Sequence, residues 1–215
     1  MNATETAKTK PVSYSTSLNY IFIHIPKCAG TSIHRALRAA HTRASLPIAS
    51  HKYHKHSKAI DVRPSLGPLW SRAFKFAFVR NPWDLMVSSY HWWLNVAEDF
   101  PRLRDDAANV RALGTFDAFI RSDYGSNKIN ECAGRDFTDW LCDENGKVIV
   151  DLVGKYETLA QDWERVCDKL RIEPIGLTKE NEVPRPHYRT FYDDASRDLV
   201  AKRFARSIEL FEYAF

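Results

Sequence analysis

Glycine is scarce in this chain of 215 residues, and its eight copies stand alone at positions 30, 67, 114, 125, 134, 146, 154 and 176. Neither G-x-G-x-x-G nor G-x-x-x-x-G-K-[ST] can therefore be written anywhere, which excludes the dinucleotide fingerprint and the Walker A loop. Cysteine is sparse too. Cys28, Cys132, Cys142 and Cys167 show no C-x-x-C spacing and are too few for a disulfide scaffold. They read as reduced thiols, with a Cys132–Cys142 bridge as the alternative. No hydrophobic run approaches the roughly 18 residues of a membrane-spanning helix, so stable membrane insertion is not expected. Residues 1–19 are polar, rich in Ser and Thr, and lack the apolar stretch of a signal peptide. The expectation is a disordered tail over 1–19, a single domain over 20–215 and a cytoplasmic location. The excess of positive charge is only +4. That is too weak to mark a nucleic-acid binder, yet compatible with an anionic ligand.

Against these absences, 44% of residues are hydrophobic, enough for one packed core. Tyr20–Ile25 is a short aromatic and β-branched run, expected to be a buried strand. Pro26–Ser32 follows as a loop, and Ile33, Ala36, Leu37 and Ala40 then recur at helical spacing. Residues 42–72 read as loops with a short helix. Phe74–Val79 is the second strand, and a helix from about Asp84, taken as its N-cap, should run to about Val96. Val148–Val153 reads as a third strand. Leu159 to Leu170 marks one helix and Val200 to Phe211 a single C-terminal one. Strands alternating with helices imply an α/β fold with a largely parallel sheet.

A strand, a tight loop containing Gly30 and a helix opening with Thr31-Ser32 can bind phosphate. Free backbone N–H groups and the positive helix end face the loop, and Lys27 adds a full charge. The bland alternative is an ordinary turn, with Lys27 solvated and Ser32 as the helix cap.

His24-Ile-Pro-Lys-Cys-Ala-Gly-Thr-Ser32 resembles the 5′-phosphosulfate-binding loop of sulfotransferases that use 3′-phosphoadenylyl sulfate (PAPS). Phe76-Ala-Phe-Val-Arg-Asn-Pro-Trp-Asp84, continuing to Ser88-Ser-Tyr90, is similar to their 3′-phosphate-binding element. His56–Ile60, Val153–Leu159 and the stretch from Tyr192-Asp193 to the closing Phe211–Phe215 extend the resemblance over about residues 20–215. The nearest pattern is that of heparan 2-O type carbohydrate sulfotransferases and their small bacterial cousins. Cys28 departs from it, since many members carry Thr or Ser there, and only a backbone contribution is expected from this position.

The resemblance implies a P-loop-type sulfotransferase fold, a parallel central sheet with helices on both faces. PAPS would lie across the C-terminal strand ends, where such sheets place ligands. Lys27 would stabilise the leaving group. Cys28, Ala29, Gly30, Thr31 and Ser32 would hold the 5′-phosphate, and Arg80 with Ser88 the 3′-phosphate. A guanidinium suits a terminal phosphate because it can reach two oxygens at once; the competing reading makes Arg80 a surface ion-pair partner of Asp84. The aromatics Trp83, Tyr90, Trp92 and Trp93 are expected mainly in the core, and Tyr156-Glu157 as a capping or anchoring pair. Arg185, His187, Tyr188 and Arg189 sit in a late proline-punctuated loop of the kind that approaches the nucleotide or acceptor.

His51, His54 and His56 alternate with Lys52, Lys55 and Lys58. A zinc site is disfavoured because the lysines repel a cation, and no metal is expected. A solvated loop and a general base remain, since a sugar hydroxyl must lose its proton and histidine titrates near neutrality. The resemblance favours the base, with His56 matching better than His54. The acceptor would be a carbohydrate or another hydroxyl-bearing small molecule, not a nucleic acid. Two rivals are a nucleotide kinase or NTPase and a non-catalytic polyanion-binding module.

Overall fold

The computed structural model describes residues 13–48, 54, 56–126, 135–177 and 185–215, apart from the side chains of 97–99. In chain order the elements are β1 (Tyr14–Ser15), β2 (Tyr20–Ile23), α1 (Gly30–Arg43), α2 (Ala59–Leu66), α3 (Pro68–Arg72), β3 (Phe74–Val79), α4 (Pro82–Asp99), α5 (Arg104–Ala112), α6 (Phe116–Arg121), α7 (Thr138–Leu141), β4 (Leu152–Lys155), α8 (Leu159–Leu170), α9 (Asp194–Arg203) and α10 (Ala205–Phe211). Short 3-10 turns occupy Pro101–Leu103, Tyr156–Thr158 and Tyr188–Phe191.

The strands form one sheet in the order β1-β2-β3-β4. β2, β3 and β4 are parallel, with Phe22 opposite Phe76 and Phe76 opposite Leu152. Alternation puts Tyr20, Phe22, Phe74, Phe76 and Phe78 on one face. The Phe22 and Phe76 rings stack there at 5.0 Å. α1 covers this face through His34, edge-on to Phe22, and His41, edge-on to Tyr20. α8 packs against β3 and β4. Where β4 meets Phe78 there is no room for a side chain: a Cβ at Gly154 would lie 2.6 Å from the Phe78 ring and 2.9 Å from Cβ of Asp162.

Several expected boundaries move, each for a physical reason. The tail expected over 1–19 ends earlier, because β1 pairs antiparallel with β2. Tyr14 is buried and Asn19 closes the turn in the left-handed region. β1 is hard to read because Tyr14 is its only large apolar residue. The fourth helix starts at Pro82, not Asp84. The Asn81 side chain caps it by accepting from the N–H groups of Trp83 and Asp84, and proline suits the first helical position, where no N–H is needed. The run Val148–Val153 is divided. Val148 makes an antiparallel bridge to Cys142, while Asp151 binds Lys75 through backbone and side chain, and only Leu152–Lys155 joins the sheet. The expected C-terminal helix breaks at buried Phe204, whose ring packs on Phe137. The Asp136 carboxylate accepts from the N–H and hydroxyl of Ser207, capturing the start of α10. Cys142 is a free, buried thiol, so the Cys132–Cys142 bridge is not formed; Cys132 itself lies outside the described residues. Among the described residues no helix is long and apolar enough to cross a membrane.

Replacing Gly154 by alanine should overpack this junction and cost about 1–3 kcal/mol. Urea unfolding would measure it, and an unchanged midpoint would mean that Phe78 and α8 can yield.

Candidate functional site

The loop between β2 and α1 is built from backbone. Lys27 (φ 64°) and Ala29 (φ 60°) both take the left-handed conformation, which costs a non-glycine residue roughly 1–2 kcal/mol. Ala29 is the N-cap of α1 and offers no side-chain hydrogen bond; the first turn holds no acidic residue either. Ser32 is therefore not the cap that the bland reading required. The first N–H groups of α1 are left for an external acceptor, with the helix dipole behind them. Thr31 is exposed and Ser32 buried in this turn. Cys28 is buried, and burial holds its thiol protonated, against the influence of Arg80. The thiol is thus withdrawn from the loop surface.

Gly30 is required by a close approach. A Cβ there would overlap the ring of His24. That ring stacks on Phe22 at 5.6 Å and bonds through Nδ1 to Nε2 of His34 at 3.1 Å. It also meets the His56 ring at a centroid distance of 4.4 Å. Nδ1 of His56 lies 3.1 Å from the carbonyl oxygen of His24. A carbonyl can only accept, so Nδ1 carries a proton and donates it to His24. His54 is exposed, with its Nδ1 accepting from the backbone N–H of His56. His51, Lys52 and Lys55 lie outside the described residues. Lys58 is the N-cap residue of α2.

Arg80, directly after β3, joins the two motifs. Its Nη1 donates to the Lys27 carbonyl at 3.1 Å and to Oγ of Ser88 at 3.2 Å. Its Nε and Nη2 reach Oδ2 of Asp84 at 2.7 and 2.6 Å, and its plane lies 3.9 Å from the centre of the Tyr156 ring. The ion pair with Asp84 is thus real, but it is buried and belongs to the site. Oδ1 of Asp84 accepts from Nη2 of Arg185. Lys27 projects its ammonium over Trp92 on α4, 5.6 Å from the ring centre.

Of the late-loop residues only Arg185 is brought to Arg80 by these bonds. His187 caps the following turn by accepting from the N–H of Arg189. Arg189 donates to the Phe215 carbonyl and lies near the Tyr188 and Phe215 rings. These two residues close a local turn on the C-terminal segment. Of the two roles expected for Tyr156 and Glu157, the contacts are those of an anchor: Glu157 accepts from the Asn81 N–H at 2.6 Å and from the Tyr213 hydroxyl. Trp83 and Trp93 are core residues, whereas Tyr90 and Trp92 are half-buried. Asp84, His24 and Trp92 are functional neighbours that spacing alone did not single out. Asp84 is the most recoverable, lying one helical turn before Ser88. Among the described residues no group of three or more His, Cys, Asp or Glu is placed to hold a metal ion.

The arrangement offers an anion two cradles: free helix-end N–H groups with Lys27, and Arg80 with Ser88 and Arg185. An uncharacterized protein of Archaeoglobus fulgidus is 32% identical over 125 residues, covering 58% of this chain and 83% of its own length. No solved structure matches the chain. A sulfotransferase family model matches residues 12–214, a span that takes in both cradles and every element of the sheet, and the chain therefore belongs to the sulfotransferase family.

Proposed function

We propose that this sulfotransferase moves a sulfuryl group from PAPS to the hydroxyl of a carbohydrate acceptor, within a fold of the P-loop type. The observation that carries the reading is the bond from Arg80 to the Lys27 carbonyl. It fixes, side by side, one cradle suited to a 5′-phosphosulfate and one suited to a 3′-phosphate. A kinase or NTPase would use only the first cradle, and a polyanion-binding module needs neither a paired site nor an oriented imidazole. The family match favours neither rival.

The residues present fit PAPS. The first-turn amides of α1, with Thr31 and Ser32, would hold the 5′-phosphate, and Arg80 with Ser88 the 3′-phosphate. When bound, PAPS supplies the activated sulfuryl group. Transfer forms a bond from the acceptor oxygen to sulfur and breaks the bond from sulfur to the 5′-phosphate oxygen. The acceptor proton would go to Nε2 of His56, whose Nδ1–H is held by the His24 carbonyl. Lys27 neutralises charge on the departing phosphate. As in phosphoryl transfer, positioning and charge stabilisation carry the catalysis.

Thermal stabilisation separates the readings first. Stabilisation of the chain should be far greater with 3′,5′-ADP than with 5′-AMP or ATP, by roughly 2.7 kcal/mol at 100 times Kd. Equal shifts with ATP would favour the kinase reading.

Lys27→Ala should lower kcat by about 10²-fold or more, the scale of one lost electrostatic contact in the transition state. A change confined to KM would assign Lys27 to uniform binding.

A general base must be neutral, so turnover should rise with pH through the titration of an imidazole. His56→Ala should remove this acidic limb and about 10²–10⁴-fold of the rate while 3′,5′-ADP affinity stays. His54→Ala should cost far less. A larger loss at His54 in the pH–rate profile would move the base by two residues.

A further inference from the structure

Asp84 presents a problem for an anion site. Its carboxylate lies among the groups proposed to grip a phosphate, where its charge repels the ligand. Its bonds explain its presence. Oδ2 takes Nε and Nη2 of Arg80, and Oδ1 takes Nη2 of Arg185. The three side chains are only 9%, 18% and 14% exposed for Arg80, Asp84 and Arg185. Two buried guanidiniums repel one another, and in this low-dielectric setting the repulsion is poorly screened. A shared carboxylate is what brings them together.

We propose that Asp84 is the positioning residue of the 3′-phosphate cradle, holding Arg80 and Arg185 as a pair so that both present donors to one anion. This rests on the reading that the site takes a 3′,5′-bisphosphate nucleotide. A count of donors supports it. A guanidinium has five N–H groups. In Arg80, Nε is spent on Asp84, Nη1 on Lys27 and Ser88, and one N–H of Nη2 on Asp84. One N–H remains, too few for the two-pronged grip a phosphate favours. Arg185 is complementary: its Nη1 is buried and has no hydrogen-bond partner among the described residues. The pair thus supplies what Arg80 alone lacks, and among the described residues Asp84 is the only group that bonds both. The stacked Tyr156 ring closes one face of Arg80, which leaves the guanidinium edge as the route to a ligand.

The two roles open to Asp84 predict opposite signs. A mere counter-charge would weaken the cradle, so Asp84→Ala would tighten binding of a phosphate. A positioning residue strengthens it despite its charge. Calorimetric titration of the full chain with 3′,5′-ADP and with 5′-AMP reads the difference. Asp84→Ala should weaken 3′,5′-ADP by about tenfold or more, equivalent to about 1.4 kcal/mol, and leave 5′-AMP close to wild type. Asp84→Asn, which keeps an oxygen acceptor, should lose less. In an Arg185→Ala background Asp84→Ala should cost less than it does in wild type, since one of the two groups it positions is gone. Tighter or unchanged 3′,5′-ADP binding overturns the proposal, and so does an equal loss for both nucleotides. If Asp84→Ala fails to fold, Asp84→Asn decides on the same two nucleotides by the same signs. A wild-type protein with no preference for 3′,5′-ADP would refute the nucleotide reading before any variant is made, and this proposal with it. A wild-type preference that Asp84→Ala leaves undiminished refutes the positioning role alone.

Discussion

The hydrogen bond from Arg80 to the Lys27 carbonyl ties the active region to the sheet. Ile23 and Ala77 are opposite one another in the parallel ladder, so the chain leaves two neighbouring strands at the same level. Lys27 then lies four residues beyond its paired position and Arg80 three beyond its own. The left-handed turn at Lys27 leaves its carbonyl for Arg80, and the guanidinium crosses the gap between the two strand ends. The distance between the cradles is therefore fixed by backbone pairing. A ligand with two charged ends meets a rigid spacing, and little ordering entropy remains to be lost on binding.

The aromatic face of β2 continues past its last residue. Tyr20, Phe22 and His24 follow period 2, so the His24 ring extends the Phe22–Phe76 stack to the mouth of the phosphate loop. From there it forces position 30 to be glycine, and its carbonyl selects the tautomer of His56. One period of the sheet thus governs both the close approach of the loop and the orientation of the imidazole. Hydrophobic packing thus orients the imidazole through geometry.

Elements whose determinants are local were legible in the sequence. The strands at Tyr20 and Phe74, the loop before α1 and the nearness of Arg80 to Ser88 follow from residues that touch near neighbours or repeat with a period. What escaped depends on distant partners. β1 is a strand only because β2 lies beside it. The break at Phe204 needs Asp136, about 70 residues earlier in the chain. Arg185 reaches the site through Asp84, 101 residues away in sequence, whereas the equally polar His187 and Arg189 are occupied by a local turn. Composition cannot separate these three residues, since each is a cationic or titratable side chain in one loop. The start of α4 was a different failure. The expectation put the N-cap at Asp84, although the locked φ and missing N–H of Pro82 suit the opening of a helix.

The loop also bears on how the transfer proceeds. A sulfuryl group could pass through a covalent enzyme intermediate or move directly to the acceptor. The obvious nucleophile is Cys28, at the centre of the phosphate loop and within the influence of Arg80, Glu157, Lys27 and Asp84. A sulfur nucleophile must be ionised and reachable. Cys28 is neither, being 1% exposed and held protonated by burial. Lys27 and Ala29, on either side of it, adopt left-handed backbone that no side-chain cap relieves. Such strain persists where the surrounding structure over-determines it, often at ligand clamps. The sulfur is turned into the core so that the amides can face outward. On the proposed reading such a loop grips the donor and leaves the acceptor oxygen as the attacking atom, in a single in-line displacement with the proton taken up by His56.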